Sequence, residues 1–121
     1  MSNISIVKWE EVLLLTLQGY MDDEAAVSLA ERLTTAVVDH GARAVVIDIA
    51  AVEVLDSFMA RTLANMAAAC RLLGTETAVV GMRPDVAMTL VELGMPLPGV
   101  RTALNLEQGI ALLRRLMSGK P

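Results

Sequence analysis

The sequence predicts an α/β domain built on a mostly parallel sheet, and three observations carry that prediction. Short aliphatic runs alternate with longer stretches whose apolar residues recur at helical spacing. Glycines stand where the pattern changes, at Gly41, Gly74 and Gly94. The apolar mass is aliphatic: 55% of the 121 residues are hydrophobic, yet Trp9, Tyr20 and Phe58 are the whole aromatic complement. The order along the chain is β-β-α-β-α-β-α-β-α, in one domain over residues 1–121. An opening hairpin is followed by strands separated by about four helices, which implies parallel pairing.

Ile4 to Val7 and Val12 to Leu17 bracket Trp9-Glu10-Glu11 and read as two strands joined by a tight turn. Asp22-Asp23-Glu24 opens a helix with acids at the positive end of its dipole. Its apolar face is Ala26, Leu29, Ala30, Leu33 and Val37, and Gly41 closes it after His40. Ala44 to Ile49 is almost wholly apolar, the pattern of a strand covered on both faces. After Ala50 to Leu55 and Asp56, a long helix runs from Ser57 to Leu73, with Met59, Leu63, Met66, Cys70 and Leu73 on one stripe. Thr77 to Val80 is the next strand. Pro84 suits the first turn of a helix that continues through Val86 to Leu93. Met95-Pro96-Leu97-Pro98-Gly99 reads as a rigid turn, and Val100 to Ala103 as a short edge strand. Asn105 caps a last helix carrying Leu106, Ile110, Leu113 and Met117.

A mean hydropathy of +0.54 raises the question of a membrane. A spanning helix needs about 20 mostly apolar residues. The longest uncharged run, Val12 to Met21, is half that and contains Thr16, Gln18 and Gly19. The opening residues Met1 to Ile6 hold no basic segment ahead of an apolar one, so no secretory leader is expected, and a cytoplasmic protein is. The net charge of −4 and the scattered basic residues disfavour nucleic acid as a partner. A single cysteine, Cys70, excludes an internal disulfide and a cysteine zinc cluster. With 20% charged residues, part of the apolar surface is expected to be covered by other subunits.

Four groups of residues bear on chemistry. Asp56-Ser57-Phe58 stands at the start of the long helix, where unpaired backbone N–H groups favour a phosphate. The same residues also read simply as an N-cap and the first helical residues. Asp22, Asp23, Asp48 and Asp56 suggest a receiver-like Mg²⁺ site around a phosphorylated aspartate, but such a site wants a lysine after a core strand. The two lysines, Lys8 and Lys120, do not stand there. Helix caps and solvated acids are the plainer reading, and no metal or other cofactor is expected. Cys70 falls on the apolar stripe and reads as a packed thiol. Met82, Met88 and Met95 cluster around the third helix as a candidate partner surface. His40, the only histidine, sits at a helix end, and no glycine-rich phosphate loop is present, so an enzyme is not expected.

The stretch Val45-Val46-Ile47-Asp48, followed by Val54-Leu55-Asp56-Ser57-Phe58, resembles STAS domains, the sulphate-transporter and anti-sigma-factor-antagonist family. The resemblance runs nearly end to end. It includes Asp22-Asp23, the segment Asp56 to Arg61, the segment Val86 to Gly94 and the segment Thr102 to Gly109. Phe58-Met59-Ala60-Arg61 stands where simple antagonists carry small residues, which resembles the RsbS branch, single-domain scaffolds of the bacterial stressosome. The resemblance implies co-assembly with RsbR-type STAS sensor proteins in a large cytoplasmic hetero-oligomer that holds an RsbT-type serine kinase inactive. It further implies phosphorylation of Ser57 by that kinase and resetting by a serine phosphatase. Asp22, Asp23, Asp56, Ser57 and Phe58 are then the kinase-facing patch. The alternatives are a stand-alone dimeric anti-sigma-factor antagonist and a degenerate receiver-like phospho-acceptor domain.

Overall fold

A computed structural model describes residues 4–20, 22–94 and 100–119. The chain runs β1 (Ile4–Trp9), β2 (Val12–Tyr20), α1 (Asp23–His40), β3 (Ala44–Val54), α2 (Ser57–Leu72), β4 (Glu76–Val80), α3 (Pro84–Glu92), β5 (Arg101–Ala103) and α4 (Leu106–Met117). This is the predicted order of elements. The five strands lie in the sheet in chain order, with β1 antiparallel to β2 and every other pair parallel.

Strands added in one direction by right-handed crossovers leave the intervening helices on one face. The packing follows. Leu13, Leu15, Leu17, Val45, Ile47, Ile49 and Val79 form the main core with Leu29, Leu33, Met59, Leu63, Met66, Val86 and Leu90 of α1, α2 and α3. The alternate strand residues Val12, Ala44, Val46, Ala78 and Val80 meet Leu113 of α4 on the other face. This sheet order overturns the receiver-like alternative, because receiver domains are doubly wound with order 2-1-3-4-5 and a switch point in the sheet. Here the first strand is an antiparallel hairpin arm and no order reversal occurs.

Several boundaries shift for physical reasons. β3 continues five residues past Ile49, to Val54, through two register shifts against β2, at Thr16/Gln18 and at Gly19/Tyr20. Each shift inserts an extra β3 residue and breaks the period-two pattern, which is why Ala50 to Leu55 reads as a connection. Leu73 is half-exposed at the end of α2, so the buried stripe stops at Cys70. In α4, Leu113 is fully buried, Ile110 and Met117 are half-buried and Leu106 is exposed. The turn read at Met95 to Gly99 lies outside the described residues. Among the described residues, no helix is long and apolar enough to cross a membrane.

The far end of α4 is held by charge. Arg43 donates to the Met117 carbonyl at 2.9 Å and pairs with Glu11 at 3.4 Å, while Arg114 pairs with Glu10 and lies 5.0 Å from the centre of the Trp9 ring. Glu10, in the β1–β2 turn, has φ 55°, a region that L-residues rarely adopt.

Candidate functional site

The β2–β3 pairing builds the candidate site. Tyr20 stands opposite Val54, the last residues of the two strands. Two residues beyond Tyr20 is Asp22, the N-cap of α1; two beyond Val54 is Asp56, the N-cap of α2. Neighbouring strands are about 4.8 Å apart, so both helix starts emerge side by side along the edge formed by the carboxyl ends of the parallel strands.

Both carboxylates have backbone duties there. Asp22 Oδ1 accepts from the Ala25 amide at 2.8 Å, and Asp56 Oδ1 accepts from the Met59 amide at 2.8 Å. Each cap satisfies a donor that the helix itself cannot pair. Asp23 is exposed in the first turn of α1. Ser57 is the first residue of α2 and is half-buried, and among the described residues its hydroxyl makes no hydrogen bond. Phe58 is half-buried and packs against the main core, so it anchors the start of α2. The five predicted residues are therefore brought to one edge, with Phe58 turned inward.

Asp48 does not join them. It alternates in register with Val46 on the α4 side of the sheet, and its Oδ1 accepts from the Ala50 amide at 2.9 Å. The acidic set is thus divided between a mid-strand side chain on the α4 face and two helix caps beyond the strand ends, which removes the convergence that a receiver-like metal site requires. Among the described residues no cluster of three or more potential metal ligands occurs. Cys70 is fully buried, and that burial pushes its thiol pKa up. The Thr77 hydroxyl beside it is otherwise without a hydrogen-bond partner among the described residues and tempers the shift. Met82 is half-buried against the core, Met88 is exposed on α3, and Met95 lies outside the described residues.

Sequence reasoning places Glu53 and Asp56 near Ser57 but overlooks two further neighbours, Tyr20 and Val54. Tyr20 and Val54 are 59% and 55% exposed at the strand ends, giving the edge an apolar centre, and Glu53 adds an exposed acid. Tyr20, as one of three aromatic residues, was the available signal; Val54 was hidden by the bulges of β3.

Comparison with known proteins agrees with this architecture. The STAS domain model matches residues 3–108. The RsbT co-antagonist protein RsbRA of Bacillus subtilis (strain 168) is 36% identical over 102 residues; the match covers 84% of this chain and 37% of that protein. The chain therefore spans well under half the length of that relative. The structure of a serine-to-glutamate variant of RsbS from Moorella thermoacetica superposes with a TM-score of 0.83 at 32% identity, over 97% of this chain and 99% of that one. A chain from the molecular architecture of the stressosome gives 0.75 at 33% identity, over 93% and 98%. By family match, by identity to an RsbS chain along nearly its whole length and by sheet order, the chain belongs to the STAS domain family and is of the RsbS type.

Proposed function

We propose that the chain is a scaffold subunit of a stressosome in bacterial stress signalling, which sequesters an RsbT-type serine kinase and releases it when Ser57 is phosphorylated. The observation that carries this reading is the placement of Ser57. A hydroxyl without a hydrogen bond among the described residues stands at the start of α2, beside the exposed acids of α1 and the apolar pair Tyr20 and Val54. That edge supplies what a docking surface needs: apolar area at its centre and charge around it. The carboxylate of the adjacent Asp56 is engaged as a helix cap, accepting from the Met59 amide. Ser57 is in this reading a substrate and not a nucleophile of the protein's own chemistry.

Phosphorylation introduces about −1.5 to −2 charges into a surface already lined by Asp22, Asp23, Glu53 and Asp56. Bulk and charge then oppose the fit of the kinase, and a loss of about 1.4 kcal/mol weakens binding tenfold. RsbR-type sensor proteins are the co-assembling partners in this reading, supported by the similarity of the chain to RsbRA. A serine phosphatase resets Ser57, and the particle is cytoplasmic.

The test is incubation with the kinase and ATP, followed by mapping of the phosphate by mass spectrometry. Acid-stable phosphate on Ser57 is expected, and Ser57→Ala is expected to retain the kinase under conditions that release it from the wild type. Phosphate on another residue with Ser57 bare would overturn the reading, as would equal release of kinase from both proteins.

A further inference from the structure

Burial places Ser57 and Arg61 together on the outward stripe of α2. After half-buried Ser57, the exposed positions are Arg61, Asn65, Ala68, Arg71 and Leu72, while Met59, Leu63, Met66 and Cys70 face the sheet. Residues four apart are neighbours on a helix surface, with Cβ atoms about 5–6 Å from each other. Helical side chains lean toward the N-terminus of their helix, so Arg61 extends toward the turn that holds Ser57. The cation has no competing partner: among the described residues the Arg61 guanidinium makes no ion pair and no hydrogen bond. Its own helix offers no carboxylate three or four residues away, where Ser57, Phe58, Ala64 and Asn65 stand.

We propose that Arg61 is the intramolecular partner of a phosphate on Ser57, a positioning residue that draws the phosphate back along the exposed face of α2. The inference rests on the reading of Ser57 as the phosphorylated residue. A guanidinium meets phosphate oxygens through paired N–H···O bonds, a geometry that an ammonium does not reproduce. The other charges around Ser57 act in the same sense. Asp56 and Glu53 precede it and Asp22 and Asp23 stand at the start of α1, so repulsion from these acids and attraction by Arg61 both turn the phosphate toward the outer stripe. The modified state is then one defined arrangement of charge, and it clears the apolar pair Tyr20 and Val54.

The experiment places phosphoserine at position 57 by genetic-code expansion in the full chain, in wild-type, Arg61→Gln and Arg61→Lys backgrounds. Phosphorus NMR then follows the second ionisation of the phosphate. A nearby cation favours the dianion and holds its pKa down. Arg61→Gln is expected to raise it by about 0.3–0.7 unit, the size set by an exposed charge pair. Arg61→Lys is expected to restore part of the shift, and Arg101→Gln, on β5 away from α2, to leave the titration unchanged. Glutamine is a good helix former and Arg61 is exposed, so the variant keeps its fold, with circular dichroism as the check. Identical titrations for wild type and Arg61→Gln would overturn the proposal. That outcome is independent of any kinase, whereas the reading of Ser57 as the kinase substrate fails on a different result, phosphate mapped elsewhere.

Discussion

Gly81 shows how much a single residue decides in this fold. It follows β4 with φ +78°, and a Cβ there would stand 2.9 Å from both Ala50 Cβ and Asp48 Oδ1 and 3.1 Å from the Ala50 amide nitrogen. The left-handed backbone and the bulged end of β3 both exclude a side chain. Gly74, with φ +82°, faces open space, so only the backbone term applies there. Gly81→Ala is expected to destabilise the protein by about 2–4 kcal/mol and Gly74→Ala by about 1 kcal/mol, from backbone strain with and without overpacking. Urea unfolding of the two variants checks this, and equal losses would refute the role given to the Ala50–Asp48 contact. Composition identifies the glycines as turn residues but says nothing of what a side chain at each would meet.

At the scale of elements, Asp56 combines two roles that one substitution can separate. Its carboxylate caps α2 at the Met59 amide, and its charge borders Ser57. Asparagine caps about as well as aspartate, whereas alanine does not. Asp56→Ala is therefore expected to cost about 0.5–2 kcal/mol, and Asp56→Asn much less. Thermal or urea unfolding measures the stability difference, while kinase binding by the Asn variant reports the charge alone. If Asp56→Asn destabilises as much as Asp56→Ala, the cap is not what Asp56 contributes. The cap itself was legible in the sequence, from an Asp-Ser pair ahead of a helical stripe. So were the acids that open α1 and the proline that begins α3. β3 was legible only to Ile49, because its bulges destroy the alternation by which strands are recognised.

At the scale of the molecule, three helices share one face of the sheet and α4 covers the other by itself. Leu113 is the fully buried contact that α4 makes in that smaller core, supported by Arg43 and Arg114 at the helix end. Leu113→Ala is expected to cost about 2–5 kcal/mol, the range for a deleted core leucine. Hydrogen exchange is expected to show the loss first in α4 and β5, since the main core on the opposite face keeps its contacts. Uniform loss of protection across both faces would show instead that the two cores unfold as one. On the α4 face Val7 and Trp9 of β1 stay 53% and 40% exposed, although Arg114 of α4 reaches the Trp9 ring. These residues belong to the apolar surface that the low charge content led us to expect.

The sequence by itself determined the order of elements, the two-sided burial of β3, the helix stripes, the caps and the family. These follow from local periodicity, from the chemistry of helix ends, and from a motif that extends from Asp22 to Gly109. Tertiary structure alone decided which residues meet. It separated Asp48, within β3, from Asp22 and Asp56 at the helix starts beyond the strand ends, and it brought Tyr20 beside Val54 through a bulged register. It also set Arg61 on the same outward stripe as Ser57. The reason is physical: local preferences fix backbone conformation over a few residues, whereas faces, register and neighbours depend on crossover handedness and packing across the whole sheet.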